Sequence, residues 1–189
     1  MKNFLKIASG VAVMPLMLAI ARRPDLWKED TYLRDYPQGP FNQIESIMLR
    51  FPVKGVYETE QEAADHLSKY DMHENVDYPA FKLLAEARPI VFALMNSVAG
   101  ERLGRVMINK VAPGGRIFPH ADTPAHADYY SRFHVVLQSQ PGVVFRCDDE
   151  QTYMATGDVW WFNNKLEHEV INNSADDRIH MIIDIRTSR

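Results

Sequence analysis

The sequence predicts a single α+β domain, mainly β, in which helices precede a C-terminal β-sandwich or barrel. Residues after Leu103 form about seven short apolar runs, separated by Gly, Pro, Asn and Asp turn signals. Residues before that point carry the helical patterns. A chain of 189 residues suits one core, so we expect one domain over 1–189, with a helical and connecting segment at 1–102 and the β core at 103–189.

Composition limits the class of protein and of partner. With 46% hydrophobic and 24% charged residues, the sequence is typical of a soluble globular protein. A net charge of -4 without a local basic patch predicts no nucleic-acid partner. Cys147 is the single cysteine of the chain, which excludes an intrachain disulfide and a multi-cysteine zinc site.

The first 21 residues admit two interpretations. Two lysines precede the apolar run Ile7–Ala21, which is similar to a secretory signal but too short to span a membrane. We favour a strand over Phe4–Val13 that turns at Pro15 into a helix ending at Ala21. Because the cysteine content gives no sign of an oxidising compartment, we expect a cytoplasmic protein without a membrane partner. The alternative is a secreted or periplasmic protein whose residues 1–21 act as a signal peptide.

Local patterns define the other elements. The segment from Asp25 to Pro52 is rich in Pro, Tyr and charge and is expected to be an ordered connection. Its part Leu33–Phe41 is expected either to wrap the sandwich or to cover a pocket mouth. The next elements are a strand at Ile44–Phe51 and helices at Glu58–Tyr70 and Pro79–Ala99, the last with a bend at Pro89. The later strands are Arg105–Ala112, Ser131–Ser139, Gly142–Cys147, Gln151–Ala155, Val159–Phe162, His168–Ile171 and Arg178–Arg186. We expect the helices to cover one outer face of this sandwich.

A metal-ligand pattern begins at His120. On extended backbone, residues two apart point to the same side, about 6.5–7 Å from each other, so His120 and Asp122 can converge on one ion. A third ligand must come from another strand, and His168 is the natural candidate. Two histidines and one carboxylate form the ligand set of non-haem Fe(II) oxygenases.

The His-x-Asp pattern is weak when taken alone. An aspartate in a loop turn accepts backbone N–H bonds without any metal. The pattern also occurs twice, because His126 and Asp128 repeat the spacing of His120 and Asp122. We favour the first pair, which follows the Pro-Gly-Gly turn at 113–115.

An arginine ten residues after His168 strengthens the metal hypothesis. Arg178 lies on the face of its strand opposite the apolar face of Ile179 and Met181. A guanidinium in a barrel lumen is costly without an anion, and a dicarboxylate cosubstrate would supply one. The alternative is a surface arginine paired with Asp176 or Asp177.

Arg132 and His134 form a second polar pair, two residues apart on one strand face. In a cosubstrate pocket they would add hydrogen-bond donors, and elsewhere they would be an ordinary solvated strand face. The remaining histidines, His66, His73 and His180, are expected to be structural or solvated. The aromatic run 160–162 is expected to lie in the core, and Cys147 to be a small buried residue.

These motifs together resemble the aspartyl/asparaginyl β-hydroxylase family of Fe(II)- and 2-oxoglutarate-dependent dioxygenases. The resemblance covers about Asn109 to Arg186 and rests on order and spacing. The motifs are Pro113-Gly114-Gly115, Pro119-His120, Arg132-Phe133-His134, Gly157-Asp158-Val159-Trp160, Glu167-His168-Glu169-Val170 and Arg178. The family fold is a double-stranded β-helix, the jelly roll also found in cupins, which agrees with the strand count.

The resemblance implies His120 and His168 as iron ligands. Animal members of the family have glycine at the position of Asp122, whereas this chain has the aspartate, so we expect a complete triad of three residues. The residues implied at 2-oxoglutarate are Arg178 at the distal carboxylate, Arg132 and His134 at its other oxygens, and Asn109, which stands where the family often has serine.

The expected activity is hydroxylation of an unactivated C–H bond, with Fe(II), 2-oxoglutarate and O2 required and ascorbate as a supporting reductant. The substrate would be an Asp or Asn side chain in a peptide or protein, or alternatively a free amino acid or small metabolite. The sequence does not indicate an oligomeric state. A cupin-like protein that binds a metal or ligand without oxidising it is the competing hypothesis, and an interaction module with a vestigial site is a third.

Overall fold

The computed structural model describes residues 1–36, 39–55 and 58–188. The strands in these ranges are β1 (Phe4–Ala8), β2 (Ile44–Phe51), β3 (Val76–Asp77), β4 (Gly100–Val111), β5 (Arg116–His120), β6 (Ser131–Gln138), β7 (Val143–Cys147), β8 (Glu150–Thr152), β9 (Val159–Phe162), β10 (His168–Asn172) and β11 (Arg178–Thr187). The helices are α1 (Met14–Ala21), α2 (Leu26–Glu29), α3 (Tyr32–Asp35), α4 (Glu60–Lys69), α5 (Pro79–Leu83), α6 (Ala87–Ser97) and α7 (Pro124–Tyr129).

The strands form two antiparallel sheets. The larger sheet has the order β1-β9-β6-β11-β4-β2-β3, and the smaller sheet has the order β5-β10-β7-β8. From β4 onward the chain passes repeatedly between the sheets, so the two sheets share one sequence segment. This confirms the predicted mainly β architecture with a C-terminal sandwich. The N-terminal part also contributes β1, β2 and β3 to the larger sheet, a pairing that the sequence did not predict.

Helices cover one face of the larger sheet, as predicted. The apolar face of β11 lies in the same buried cluster as Leu16 of α1 and Val91 of α6. Its residues are Ile179, Met181, Ile183 and Ile185. Burying a side chain of this size contributes about 1.5–3 kcal/mol, so this layer is a main source of stability.

The other face of the larger sheet turns toward the smaller sheet. The alternate residues of β11 there are Arg178, His180, Ile182 and Asp184, and all are buried. Trp160 and Phe162 are buried with Phe145 in an apolar cluster on this side, while Trp161 packs partly buried against the helix-side cluster. The expectation that the aromatic run belongs to the core is confirmed.

Strand β5 and helix α7 were missed by the sequence interpretation. Strand β5 contains Pro119, which cannot donate a backbone hydrogen bond, and it is tolerated because β5 lies at the edge of the smaller sheet. Helix α7 has six residues and begins with Pro124 in its first turn, directly after Thr123. Both elements are short, and each is stabilised mainly by its tertiary contacts.

The helix expected over 79–99 is two helices, α5 and α6. The break lies at 84–86, where the fully buried Leu84 leaves the helical conformation with φ -105° and ψ 60°. The expected bend at Pro89 is wrong. Pro89 lies in the first turn of α6, where its missing N–H has no partner to lose.

The N-terminal strand and helix are present with shorter bounds. Strand β1 ends at Ala8 instead of Val13, because Gly10 takes a positive φ of 75° and turns the chain into α1. Helices α2 and α3 lie within the expected connecting segment from Asp25 to Pro52, of which Pro37 and Gln38 lie outside the described residues. Within the described ranges, no helix is both long and apolar enough to cross a bilayer.

Candidate metal centre

Three side chains that could ligate a metal meet where β5 ends and β10 begins. His168, the first residue of β10, is paired in register with His120, the last residue of β5. Asp122 follows two residues after His120. One ligand atom from each residue lies within 4.8 Å of the other two. Edge pairing of two short strands therefore brings together residues 48 positions apart in the sequence.

Backbone contacts fix which nitrogen of each imidazole faces the centre. Nδ1 of His120 lies 2.7 Å from the carbonyl oxygen of Phe118, and Nδ1 of His168 lies 2.9 Å from that of Leu166. A carbonyl only accepts, so both Nδ1 atoms carry the proton and donate it. Each Nε2 then presents a lone pair, which is the form that binds a metal.

Burial keeps both imidazoles neutral. It lowers the pKa of His120, and it lowers the pKa of His168 to about 4, with a further contribution from the neighbouring His120. Neutral histidines bind a metal without first losing a proton at pH 7. The donor set of two imidazole nitrogens and one carboxylate therefore fits a divalent transition metal such as Fe(II).

Asp122 is held by two donors. Nδ2 of Asn164 donates to its Oδ2 across 2.7 Å, and Nη1 of Arg132 lies 2.8 Å from the same oxygen. Burial opposes ionisation, but the charge of Arg132, the Asn164 hydrogen bond and the neighbouring His168 together outweigh burial and lower the pKa of Asp122. Asp122 is therefore an ionised carboxylate, the form needed to ligate a metal.

Arg132 connects this centre to Asp184, a residue that the sequence interpretation missed. Nε and Nη2 of Arg132 donate to the Asp184 carboxylate across 2.7 and 2.9 Å, and His126 lies 2.8 Å from the same carboxylate. Burial opposes ionisation of Asp184, but the Arg132 charge together with the hydrogen bonds from Arg132 and His126 outweighs burial and holds the pKa of Asp184 well below the usual range. Three of the five N–H groups of Arg132 are thus engaged by carboxylates.

Arg178 is fully buried and no described carboxylate pairs with it. Its Nη2 donates to Nδ1 of His180 across 2.9 Å, and its guanidinium faces the Phe145 ring at 5.8 Å. Its Nε and Nη1 have no hydrogen-bond partner among the described residues. Burial lowers the pKa of Arg178 to about 9. This shift reflects the cost of burying a cation without a counter-ion, since an arginine remains protonated in proteins. The position therefore fits an anionic group.

His134 and Asn109 line the same cavity as Arg178. Nδ1 of His134 lies 3.3 Å from Nδ1 of His180, and burial lowers the pKa of both residues well below the ordinary value. Oδ1 of Asn109 accepts a hydrogen bond from Ser46 at 2.9 Å. His180, expected to be structural or solvated, is a buried structural residue that contacts Arg178.

The cavity runs between the two sheets and opens at one end. Its lining includes all seven residues that the sequence nominated. These are Asn109, His120, Asp122, Arg132, His134, His168 and Arg178. A second, outer cavity of about 1120 Å³ shares His120 and Asp122 with it, so the metal centre lies between the inner cavity and the surface.

The alternative pair, His126 and Asp128, lies in helix α7 and does not join this centre. His126 is buried against Asp184, while Asp128 is exposed and lies 2.6 Å from Lys165. The signal for Asp184 was present in the sequence: it lies on the same face of β11 as Arg178, six residues further on. Arg105 of β4, which also lines the cavity, was likewise not singled out.

Cys147 lies next to the centre. It is fully buried, paired in register with His168, and its Sγ lies 3.3 Å from the carbonyl oxygen of Asn163. Burial raises the pKa of its thiol to about 11. The expectation of a small buried residue is confirmed.

Comparison with known sequences gives a family match. The family model described as "Aspartyl/Asparaginyl beta-hydroxylase" matches residues 77–188. L-proline cis-4-hydroxylase of Rhizobium meliloti is 27% identical over 81 residues, which are 43% of this chain and 29% of the relative. Aspartyl/asparaginyl beta-hydroxylase of Mus musculus is 24% identical over 153 residues, which are 75% of this chain and 19% of the relative. The chain thus spans less than a third of the length of these relatives.

Comparison with solved structures concerns the fold. A viral collagen prolyl hydroxylase from Paramecium Bursaria Chlorella virus-1 matches with a TM-score of 0.51 at 12% identity, covering 98% of this chain and 97% of that one. A Pseudomonas putida prolyl-4-hydroxylase matches with a TM-score of 0.50 at 14% identity, covering 99% and 94%. The double-stranded β-helix expected from the sequence is confirmed.

Proposed function

The chain belongs to the aspartyl/asparaginyl β-hydroxylase family, and from that premise we propose that it is an Fe(II)- and 2-oxoglutarate-dependent dioxygenase. The reaction would hydroxylate an unactivated C–H bond. One observation carries the proposal: three converging metal-binding groups and a fully buried arginine without an acidic partner line the same cavity.

Fe(II) would be held by Nε2 of His120, Nε2 of His168 and the Asp122 carboxylate. These three ligands leave coordination positions for a cosubstrate and for O2. With 2-oxoglutarate and O2, the bound iron supplies the oxidising power that places a hydroxyl group on carbon while the cosubstrate loses CO2 and becomes succinate. The chain itself supplies position, charge balance and a site screened from bulk water.

Arg178 would bind the distal carboxylate of 2-oxoglutarate. Its unpartnered Nη1 would supply donors, and an anion would offset the cost of burying its charge. His180 accepts from Nη2 and so fixes the orientation of the guanidinium. The delocalised positive charge would attract the cosubstrate carboxylate to this fixed position.

Other cavity residues would complete the cosubstrate site. His134 and Asn109 line the cavity beside Arg178 and are proposed to contact the remaining 2-oxoglutarate oxygens. Arg132 has two N–H groups beyond those bound by Asp122 and Asp184, and these are proposed to reach the same oxygens. Its contact with Asp122 would at the same time orient that ligand.

The substrate is proposed to be an Asp or Asn side chain of a peptide or protein, as the family name indicates. A free amino acid is the second candidate. It is favoured by the match to an L-proline hydroxylase.

Turnover of 2-oxoglutarate tests the proposal directly. Purified protein with Fe(II), ascorbate, 2-oxoglutarate and O2 is expected to form succinate slowly, even without a substrate. The His168→Ala variant serves as the matched control and is expected to form none. If the wild type binds metal but makes no succinate, the protein is a non-oxidising binder and the proposal is wrong.

A further inference from the structure

Arg105 is a second guanidinium in the cavity without an acidic partner. It lies on β4, on the same strand face as Met107 and Asn109, and lines both the inner and the outer cavity. It therefore stands at the junction between the proposed cosubstrate site and the opening to the surface. Among the described residues, neither a hydrogen bond nor an ion pair engages it, and its Nε is buried without a partner.

Packing holds the guanidinium of Arg105 in place. It lies over the Phe51 ring at 4.9 Å, a cation–π contact that uses its face and leaves its N–H edge available. Burial lowers the pKa of Arg105. The carboxylates of Asp184 and Asp122 interact with it electrostatically, but both are already bound by Arg132. Arg105 is only partly exposed, and an anion supplied by a ligand would stabilise its charge.

The balance of charges in a cavity that holds Fe(II) and 2-oxoglutarate also indicates Arg105 as the residue that lacks a counter-ion. The charged side chains that line the inner and outer cavities, among the described residues, are Arg105, Asp122, Arg132 and Arg178, with Asp184 behind Arg132. The two carboxylates offset two of the three guanidiniums, and Fe(II) offsets the dianionic cosubstrate. One positive charge then remains. Arg132 is bound to both carboxylates and Arg178 would be bound to 2-oxoglutarate, so the unmatched charge lies on Arg105.

The surroundings of Arg105 indicate what kind of group would bind. The outer cavity is walled by aromatic side chains, which are Tyr32, Tyr36, Phe41, Phe51 and Tyr70. These flat apolar walls fit an organic molecule better than a hydrated inorganic anion. A single unmatched charge and the fork of an arginine fit one planar carboxylate.

We infer that Arg105 is the substrate anchor of this enzyme, and that it binds one carboxylate of a substrate whose apolar part lies between the aromatic walls of the outer cavity. The inference rests on the proposed function, because the cosubstrate is assigned to Arg178. The carboxylate is either that of a free acid or the side chain of an acidic residue in a peptide.

Binding of benzoate and benzamide tests the anchor, because these probes share shape and differ in charge. Calorimetry is performed on protein loaded with Zn(II) and saturating 2-oxoglutarate, so that no turnover occurs and Arg178 is occupied. Benzoate is expected to bind saturably and at least about tenfold more tightly than benzamide. Absence of saturable benzoate binding, or equal affinity for both probes, would overturn the inference.

Variants of Arg105 assign the binding to this residue. Arg105→Gln is expected to weaken benzoate binding about 10- to 100-fold, and Arg105→Lys to retain part of it, because the charge remains without the fork. Arg102→Gln, on the exposed part of the same strand, is the matched control and is expected to bind benzoate normally. If Arg105→Gln binds benzoate as the wild type does, the anchor is wrong.

Two further arms keep this inference separate from the proposed function. Arg178→Met is expected to lose 2-oxoglutarate binding but to retain the benzoate binding that depends on Arg105. Loss of benzoate binding in this variant alone would overturn the anchor.

N-acetyl-L-alanine and N-acetyl-L-aspartate α-amide then compete with benzoate. The first carries only an α-carboxylate and the second only a side-chain carboxylate. The stronger competitor identifies the source, whereas failure of both refutes the anchor.

Discussion

Arg132 lies 2.8 Å from the carboxylate of Asp122 and ties this candidate ligand to the interior of the larger sheet. The same guanidinium holds Asp184, which is fully buried on β11. Asp122 lies in a loop, where a carboxylate would otherwise sample several orientations. Arg132 therefore links the geometry of the metal centre to the stability of the fold.

Asp184→Asn is expected to destabilise the protein by about 3 kcal/mol, because Arg132 would lose a charged partner in a buried pair. Asparagine preserves the shape of the side chain, so the loss of unfolding free energy measures the removed charge and not the creation of a cavity. Urea unfolding of the metal-free protein measures it. Asp128→Asn is the control and is expected to cost under about 1 kcal/mol, since its pair with Lys165 is exposed. Equal losses in the two variants would contradict the prediction.

The contribution of Asp184 is expected to vanish in acid. The Arg132 charge holds the pKa of Asp184 well below its unfolded value of about 3.9, so the folded state binds fewer protons than the unfolded state. Its stabilisation is complete above about pH 5 and is lost as the pH falls through the unfolded value toward the folded one. The stability difference between wild type and Asp184→Asn should narrow from pH 6 to pH 3. A constant difference over that range would refute the mechanism.

Arg178→Met is expected to stabilise the metal-free protein while abolishing binding of 2-oxoglutarate. Removing a buried cation without a counter-ion is neutral to favourable by about 1–4 kcal/mol, and each kcal/mol raises Tm by about 2–4 °C at this chain length. Thermal unfolding and calorimetry measure the two effects. Arg186→Met, on the exposed end of the same strand, should change stability by less than about 0.5 kcal/mol. A lower Tm for Arg178→Met would show that the charge is already compensated.

His168→Ala is expected to weaken metal binding by more than about 100-fold, beyond the 10- to 100-fold typical of a residue that only orients a ligand. Mn(II) binding measured by calorimetry without 2-oxoglutarate tests this, and no turnover is required. His66→Ala on α4 is the control and is expected to retain wild-type affinity. Unchanged affinity in His168→Ala would place the metal elsewhere and favour an interaction module with a vestigial site.

The parts of the fold that follow from local patterns could be predicted. The two-residue period of β11 separates the apolar face at Ile179 and Met181 from the polar face at Arg178, and the structure has both. The break at 84–86 could not be predicted, because it follows from burying Leu84 under the sheet.

The candidate site could be predicted as a set of residues but not as a network. Asp184 meets Arg132 because β11 and β6 pair in the register that places these residues opposite each other. Strand register is decided by packing across the whole sandwich, and the local sequence around Asp184 or Arg132 does not indicate it. The pairing of His120 with His168 across β5 and β10 is of the same kind, and here a family resemblance supplied what spacing alone could not.

The burial of Cys147 beside His168 has a chemical consequence for the proposed reaction with O2. Oxidation of a cysteine begins from the thiolate, and a thiol whose pKa is raised to about 11 is almost entirely protonated at neutral pH. The sulfur is also inaccessible to solvent. The sole sulfhydryl of the chain is therefore shielded from reactive oxygen species, and under the proposed function we expect uncoupled turnover to leave Cys147 unmodified.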